Sequence, residues 1–388
     1  MNSNHSYHPQ KLSPREHIRR RPGMYVGGIN RRALHHLFYE VLDNPVESAF
    51  IGKCDTITVH LQPNNTLTVE DNDVIFPEKL ATETWNTKYD KHVLDVIMTE
   101  IGWNNKFDKE TYRVTGGLHG VGLAAICALS SKMTVMVRHN NMIWKRFYRE
   151  GLPYGAVQYY RSLIDRPDGF TVTFQPDFSI MEDNDFDYDR VAKRCADVTY
   201  TTPNLTIHLI DERQPTPRHQ TFNAPSGMRT LLEDLNAGKT PLHDIVHISG
   251  EIDATDNKGK PITFFVEIAM QYTDSDESVE LNFLNTVSNI MGGVHVHGFQ
   301  QAILGKVNGY FSHLYHPPRY LPWHKIKHGL TAAISIRHPD PQFESPTKTY
   351  LMNPEIFGGV VTMLYPHFNP NASWVLGNHF QAIYDTAH

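Results

Sequence analysis

Apolar residues recur through RRALHHLFYEVLDNPVESAF, residues 31–50, at Leu34, at Leu37 with Phe38, and at Val41 with Leu42. That three-to-four spacing predicts an amphipathic helix. The period then changes. In DTITVHLQPNNTLTVEDND two alternating runs flank Pro63-Asn64-Asn65, which predicts a hairpin with Asp71 at the end of its second strand. HVLDVIMTEIG reads as a helix stopped by Gly102, and WNNKFDKETYRVTGG as a polar loop long enough to act as a lid. A glycine-rich turn, VTGGLHGVG, then runs into the apolar LAAICAL. KMTVMVRHNNMIWKRFYREG and GFTVTFQP read as strands again. Helix, hairpin, helix, lid, helix and strands predict an α/β sandwich with helices on one face of a sheet.

The acidic stretch MEDNDFDYDR reads as a solvated segment leading into a helix. Soon after TTPNLTIHLIDERQP the pattern restarts. PITFFVEIAMQY and LTAAISIRH read as strands, and HGFQQAILGKVNGYF as a helix. In GGVHVHGF, His295 and His297 fall on one side of an expected strand, as surface alternation and not a metal site. The restart places a boundary near 205–225, giving domains of 1–215 and 216–388. No internal repeat or low-complexity tract is present.

Composition narrows the function classes. With 388 residues, 40% of them hydrophobic, the chain can build one large or two medium cores. A formal charge of −6 and a sequence pI near 6.4 exclude a globally basic nucleic-acid binder. The stretch REHIRRRPGMY still concentrates basic residues locally. Cys54, Cys127 and Cys195 are too scattered for a metal site or a disulfide framework, which fits a reducing cytoplasm. Neither a signal peptide nor a bilayer-length apolar run is visible, so the expected location is cytoplasmic, without a membrane partner.

Two constellations carry candidate chemistry. Gly116, Gly117, Gly120 and Gly122 let backbone approach a ligand closely, and amides at the start of the following helix suit phosphate oxygens. On the helix of residues 31–50, His36, Glu40 and Asn44 recur every four residues on one face, beside the apolar stripe. A carboxylate there can polarise water for attack on a phosphoryl group, and an amide oxygen can ligate Mg²⁺.

In order, RRRPGMYVGG, EVLDN, GGLHGVG, NTVSNIMGGVHVHGF and LTAAISIRHPDPQFESPTK resemble the DNA gyrase B protein and its topoisomerase IV counterpart. The resemblance is to their N-terminal ATPase half, of the GHKL type shared more remotely with Hsp90, MutL and histidine kinases. It implies an α+β fold of two domains: a GHKL (Bergerat) sandwich, then a ribosomal S5-like β-α-β transducer. It implies ATP as substrate and Mg²⁺ as cofactor. Glu40 would be the general base, oriented by His36, and Asn44 the Mg²⁺ ligand. Asp71 would accept from the adenine amino group. The phosphates would be wrapped by the turn Gly116, Gly117, Leu118, His119, Gly120, Val121 and Gly122, with Lys106 and Tyr112 contributing from the lid. Lys348 would reach the γ-phosphate from the second domain. Lys145 and Arg146 would lie near the cleft. The implied assembly is a homodimer on ATP binding, with HSYHPQKLS and its Tyr7 as the arm that crosses to the partner. DNA and a separate cleavage (TOPRIM) protein are the implied further partners. No Glu-Gly-Asp-Ser-type motif and no cleavage tyrosine are identifiable, so DNA cleavage is not expected of this chain alone.

The sequence departs from the family's motifs at the base end. Where the family has Asp-x-Gly-x-Gly-Ile-Pro, this chain reads DNDVIFP, with Asp73 and Ile75 for the glycines and Val74 for an arginine. A family threonine is Phe170, an acidic residue on the first helix is Ser48, and a glutamine is Pro346. Pro45 follows Asn44 directly, and a proline inside a helix costs about 3 kcal/mol or more. Groups that handle phosphate and water remain while the base pocket changes. The expected activity is Mg-dependent ATP hydrolysis driving clamp closure in DNA topology change; the alternative is a stand-alone nucleotide-binding dimeric switch or regulatory paralogue with little turnover.

Overall fold

The computed structural model describes residues 12–74, 84–102, 120–164, 166–183, 185–285, 287–288, 292–317, 320–344 and 350–387. Contacts divide these into two compact units. The first gathers the described residues up to 102, with 120–195 and 207–222; the second gathers 196–206 and 223–387.

In the first unit, α1 (Pro14–Arg20) and α2 (Arg31–Phe50) precede the hairpin β1 (Thr56–Gln62) and β2 (Thr66–Asp71). Asn30 starts α2 by accepting from the amides of Arg32 and Ala33, as N-cap asparagines do. The stripe Leu34, Leu37, Phe38, Val41 and Leu42 is buried and continues through Pro45 and Val46. In β1, Ile57, Val59 and Leu61 point inward, as the alternation predicts. The chain reverses between the strands with Asn64 and Asn65 both at positive φ, a conformation asparagine tolerates well. The helices α3 (Val93–Thr99) and α4 (Gly122–Ala128) lead to β3 (Ser130–His139), β4 (Met142–Arg149), β5 (Leu152–Arg161) and β6 (Gly169–Pro176). After α5 (Tyr188–Thr201), β7 (Thr206–Asp211) and β8 (Arg218–Asn223) complete an eight-stranded sheet in the order β8-β7-β1-β2-β6-β3-β4-β5. The helix expected after the acidic stretch is α5.

In the second unit, α6 (Met228–Leu235) precedes β9 (Val246–Thr255), β10 (Pro261–Tyr272), β11 (Val279–Leu284) and β12 (Val287–Ser288). Then come α7 (Val294–Leu314), β13 (Leu330–Arg337), α8 (Pro354–Leu364) and α9 (Trp374–Ala387). The sheet order is β9-β10-β13-β11-β12, with β11 parallel to β13. A parallel pair needs a crossover, which α7 supplies. One sheet face buries Phe264, Val266, Ile268 and Met270 of β10 with Phe299, Ile303 and Phe311 of α7 and with residues of α8 and α9. Each large apolar side chain buried in this way contributes about 1.5–3 kcal/mol. The other face packs Met228, Leu231 and Leu232 of α6 on Ala269, Phe283 and Ala333.

The strand expected at GGVHVHGF is the first turn of α7 instead. His295 is fully buried and opens the stripe that continues through Phe299, Ala302 and Ile303. It therefore follows the helical period, while His297 lies off that stripe. Among the described residues no helix is long and apolar enough to cross a membrane.

Candidate functional site

The polar face of α2 and the start of α4 meet. A Cβ placed on Gly122, the first residue of α4, would collide with the Glu40 carboxylate as it is placed, so this approach uses the space that glycine leaves. Gly120, two residues earlier, has φ +58°, which glycine adopts without strain. One turn before Glu40, His36 Nε2 lies 3.3 Å from Glu40 Oε1. One turn after it, Asn44 Nδ2 donates to the Glu40 carbonyl at 2.8 Å, leaving Oδ1 outside that bond. His36, Glu40 and Asn44 are all half-buried, at the border between core and solvent. Pro45 sits inside α2 and is itself buried, with no N–H to offer the Val41 carbonyl. On the neighbouring face, Asp43 pairs with Arg194 of α5.

The second cluster lies at the end of β2. Asp71 is buried opposite Ile57 of β1, and its Oδ1 accepts from the amides of Asp73 and Phe170, each at 3.0 Å. Ser48, on the last turns of α2, donates to Asp73 Oδ2 at 2.8 Å. Burial, and then the neighbouring Asp73, push the Asp71 carboxyl up to about 8, against the two amide bonds and Arg138. Arg138 of β3 is buried and bonds the Asp71 carbonyl at 3.2 Å and the Thr171 hydroxyl at 2.8 Å. The Glu70 carboxylate lies 3.1 Å from it. A Cβ on Gly169 would collide with the Asp71 carbonyl, so the close approach of β6 to this strand end also requires glycine.

Residues 29–180 match the family described as histidine kinase-, DNA gyrase B- and HSP90-like ATPase, and residues 227–377 match DNA gyrase B. This chain belongs to the DNA gyrase B family. It is 36% identical over 358 residues to the DNA gyrase B protein of Archaeoglobus fulgidus, covering 91% of this chain and 54% of the relative. With the DNA gyrase B protein of Haloferax volcanii it shares 36% identity over 389 residues, covering 97% and 56%. The chain thus spans about half the length of these curated relatives. The 43K ATPase domain of Thermus thermophilus gyrase B, solved in complex with an aminocoumarin, superposes with a TM-score of 0.71 at 25% identity. That superposition covers 97% of this chain and 94% of that one. The gyrase B structure from Myxococcus xanthus shares the fold, with a TM-score of 0.72 at 23% identity over 94% and 99% of the two chains. The fold is accordingly the GHKL ATPase sandwich followed by the transducer domain.

Within this gyrase B-family chain, His36, Glu40, Asn44 and Gly122 lie in one neighbourhood, with Val121 and Gly120 immediately before α4. Lys106, Tyr112, Gly116, Gly117, Leu118, His119 and Lys348 lie outside the described residues, as do Tyr7, Ile75 and Pro346. Arg146, expected near the cleft, is buried and spent within the domain: Nε and Nη2 bond the Asp95 carboxylate at 2.7 and 2.8 Å. Asp95 also accepts from the Tyr148 hydroxyl at 3.0 Å. Lys145 Nζ lies 5.1 Å from the centre of the Phe147 ring. The three cysteines, which lack metal spacing in the sequence, are separate, buried free thiols. Arg138 went unmarked in the sequence. The alternation of Met133, Val135 and Val137 predicts an outward side chain at 138, so no sequence signal marked this buried arginine.

Proposed function

We propose that this chain is a nucleotide-hydrolysing module that binds ATP with Mg²⁺ between α2 and the turn before α4, and uses Glu40 to activate water. The observation that carries this reading is the packing of the Glu40 carboxylate on Gly122, immediately after the GGLHGVG turn. Backbone donors before α4 would hold the phosphates, while the Glu40 carboxylate takes the proton of the attacking water as oxygen bonds to phosphorus and ADP leaves. His36, one turn away, restrains that carboxylate in one rotamer. Asn44 fits a hard divalent cation, because its amide nitrogen is committed to the Glu40 carbonyl and its oxygen is the remaining donor. Among the described residues no group of three or more His, Cys, Asp or Glu offers a rival site. Bound there, Mg²⁺ would supply charge neutralisation at the phosphates. Asp71 would take the base edge, and Lys348 would carry the γ-phosphate signal to the transducer. In this reading ATP closes a homodimeric clamp around DNA, and a separate cleavage protein performs strand passage.

A second reading, a nucleotide-responsive switch with little turnover, is favoured by Pro45 directly after Asn44 and by the Asp73 carboxylate at the base end. Melting temperature measured with ATP, ADP and GTP, each with and without Mg²⁺, tests what both readings share. A ligand present at 100 times its Kd stabilises by about 2.7 kcal/mol, so ATP with Mg²⁺ should raise the melting temperature by several degrees. Absence of a shift with every nucleotide would overturn both readings. Steady-state phosphate release then separates them.

A further inference from the structure

The base end of the proposed site carries a residue pair that departs from the motif the resemblance implies. The motif resemblance implies glycine at position 73 and an acid at position 48; here an acid stands at 73 and a hydroxyl at 48. The two meet, Ser48 Oγ donating to Asp73 Oδ2 at 2.8 Å, with both residues buried. This bond fixes a second carboxylate two residues from Asp71 in a region sheltered from water. Asp71 Oδ1 already accepts from two backbone amides. A proton on the Asp71 carboxyl therefore sits on Oδ2, the oxygen outside those two bonds.

We propose that Asp73, held by Ser48, is a specificity-determining residue that decides whether Asp71 meets the base as a hydrogen-bond donor or as an acceptor. The inference rests on Asp71 taking the base edge, as proposed above. An ionised Oδ2 accepts from an amino group, as on adenine. A protonated Oδ2 donates to a ring carbonyl, as on hypoxanthine. Selectivity between amino- and oxo-purines then changes with pH near neutrality, in the region where burial and Asp73 place the Asp71 carboxyl. Among the described residues, the following charged and titratable groups surround Asp71. Glu70 on β2 is taken up by Arg138 of β3, which also bonds the Asp71 carbonyl. Cys54, before β1, is buried, and its thiol is pushed up by burial and by the two acids, so it stays neutral. Glu47, beside Ser48 on α2, is a further buried acid. Phe170 of β6 contributes its amide.

The test is calorimetric binding of ADP and of inosine diphosphate, each with Mg²⁺, from pH 6 to 8.5. It is run on the parent, Asp73→Asn, Asp73→Gly and Ser48→Ala. In the parent, the ratio of ADP to inosine diphosphate affinity rises about tenfold or more across this range. In Asp73→Asn and Asp73→Gly the midpoint of that rise moves to lower pH, because the like charge is gone while burial, the larger cause, remains. Because ionisation of the bases is the same for every variant, the difference between variants reports Asp71. Asp73→Gly restores the family residue and serves if Asp73→Asn folds poorly. Ser48→Ala moves the midpoint without abolishing binding. A parent ratio that is flat with pH, or a pH dependence unchanged in both Asp73 variants, overturns the inference while leaving nucleotide binding intact. If neither diphosphate binds at any pH, the functional reading itself falls.

Discussion

Substituting Gly122 by alanine separates the position of Glu40 from the integrity of α4. Alanine is favoured over glycine in a helix by about 0.8–1 kcal/mol, so the change does not weaken the helix itself. Its Cβ, however, would stand 3.2 Å from Glu40 Cδ and 3.4 Å from Glu40 Cβ, and closer still to Oε2. The carboxylate must swing aside by roughly 1 Å, and a displacement of that size costs on the order of 10² in rate. That loss corresponds to about 2.7 kcal/mol of transition-state stabilisation. The swing also disturbs the 3.3 Å approach of His36 Nε2 to Glu40 Oε1. Phosphate release and thermal melting are measured on the same preparation. The expected result is hydrolysis lowered about 100-fold with a melting temperature within a few degrees of the parent. A folded Gly122→Ala protein that hydrolyses ATP within about threefold of the parental rate would refute the reasoning.

Three further substitutions probe the fold and its charges. Arg146→Met leaves Asp95 buried without its cation and should destabilise by about 3–5 kcal/mol, read from the urea midpoint; a loss below about 1 kcal/mol contradicts the pairing. Asp71, whose carboxyl is raised in the native state, binds a proton there that the unfolded chain has released between about pH 4 and 8. Stability therefore declines as pH rises through that window, and Asp71→Asn should flatten the decline in melting temperature of the nucleotide-free protein. An equally steep decline in the variant contradicts the assignment. Tyr272 is fully buried and its hydroxyl has no hydrogen-bond partner among the described residues, so Tyr272→Phe should be neutral or stabilising by up to about 1 kcal/mol in chemical denaturation. A loss above about 1 kcal/mol would show a partner for that hydroxyl.

Local periodicity made much of the fold legible. The α2 stripe, the Asn-turn hairpin of β1 and β2 and the crossover helix α7 each follow from residues that are neighbours in sequence. GGVHVHGF misled because its first residues alternate over too short a span to separate a period of two from one of 3.6. The burial of His295 in line with Phe299 and Ile303 emerges only over about two turns. Of the candidate site, His36, Glu40 and Asn44 were legible because four-residue spacing places them on one face. The Ser48–Asp73 bond was not, because it joins positions 25 residues apart that come together only when α2 packs on the end of β2. Arg146 is the converse case, a basic residue that the resemblance placed near the cleft and that the buried acid Asp95 has claimed.

The proposed chemistry turns on one carboxylate, so the most direct measurement is phosphate release from ATP with Mg²⁺ by the parent and by Glu40→Gln. Glutamine keeps the shape of the side chain and its packing against Gly122 but cannot take a proton from water. Release should fall by about 10²–10⁴ while ADP affinity stays near the parental value. Turnover in Glu40→Gln equal to that of the parent would contradict the account.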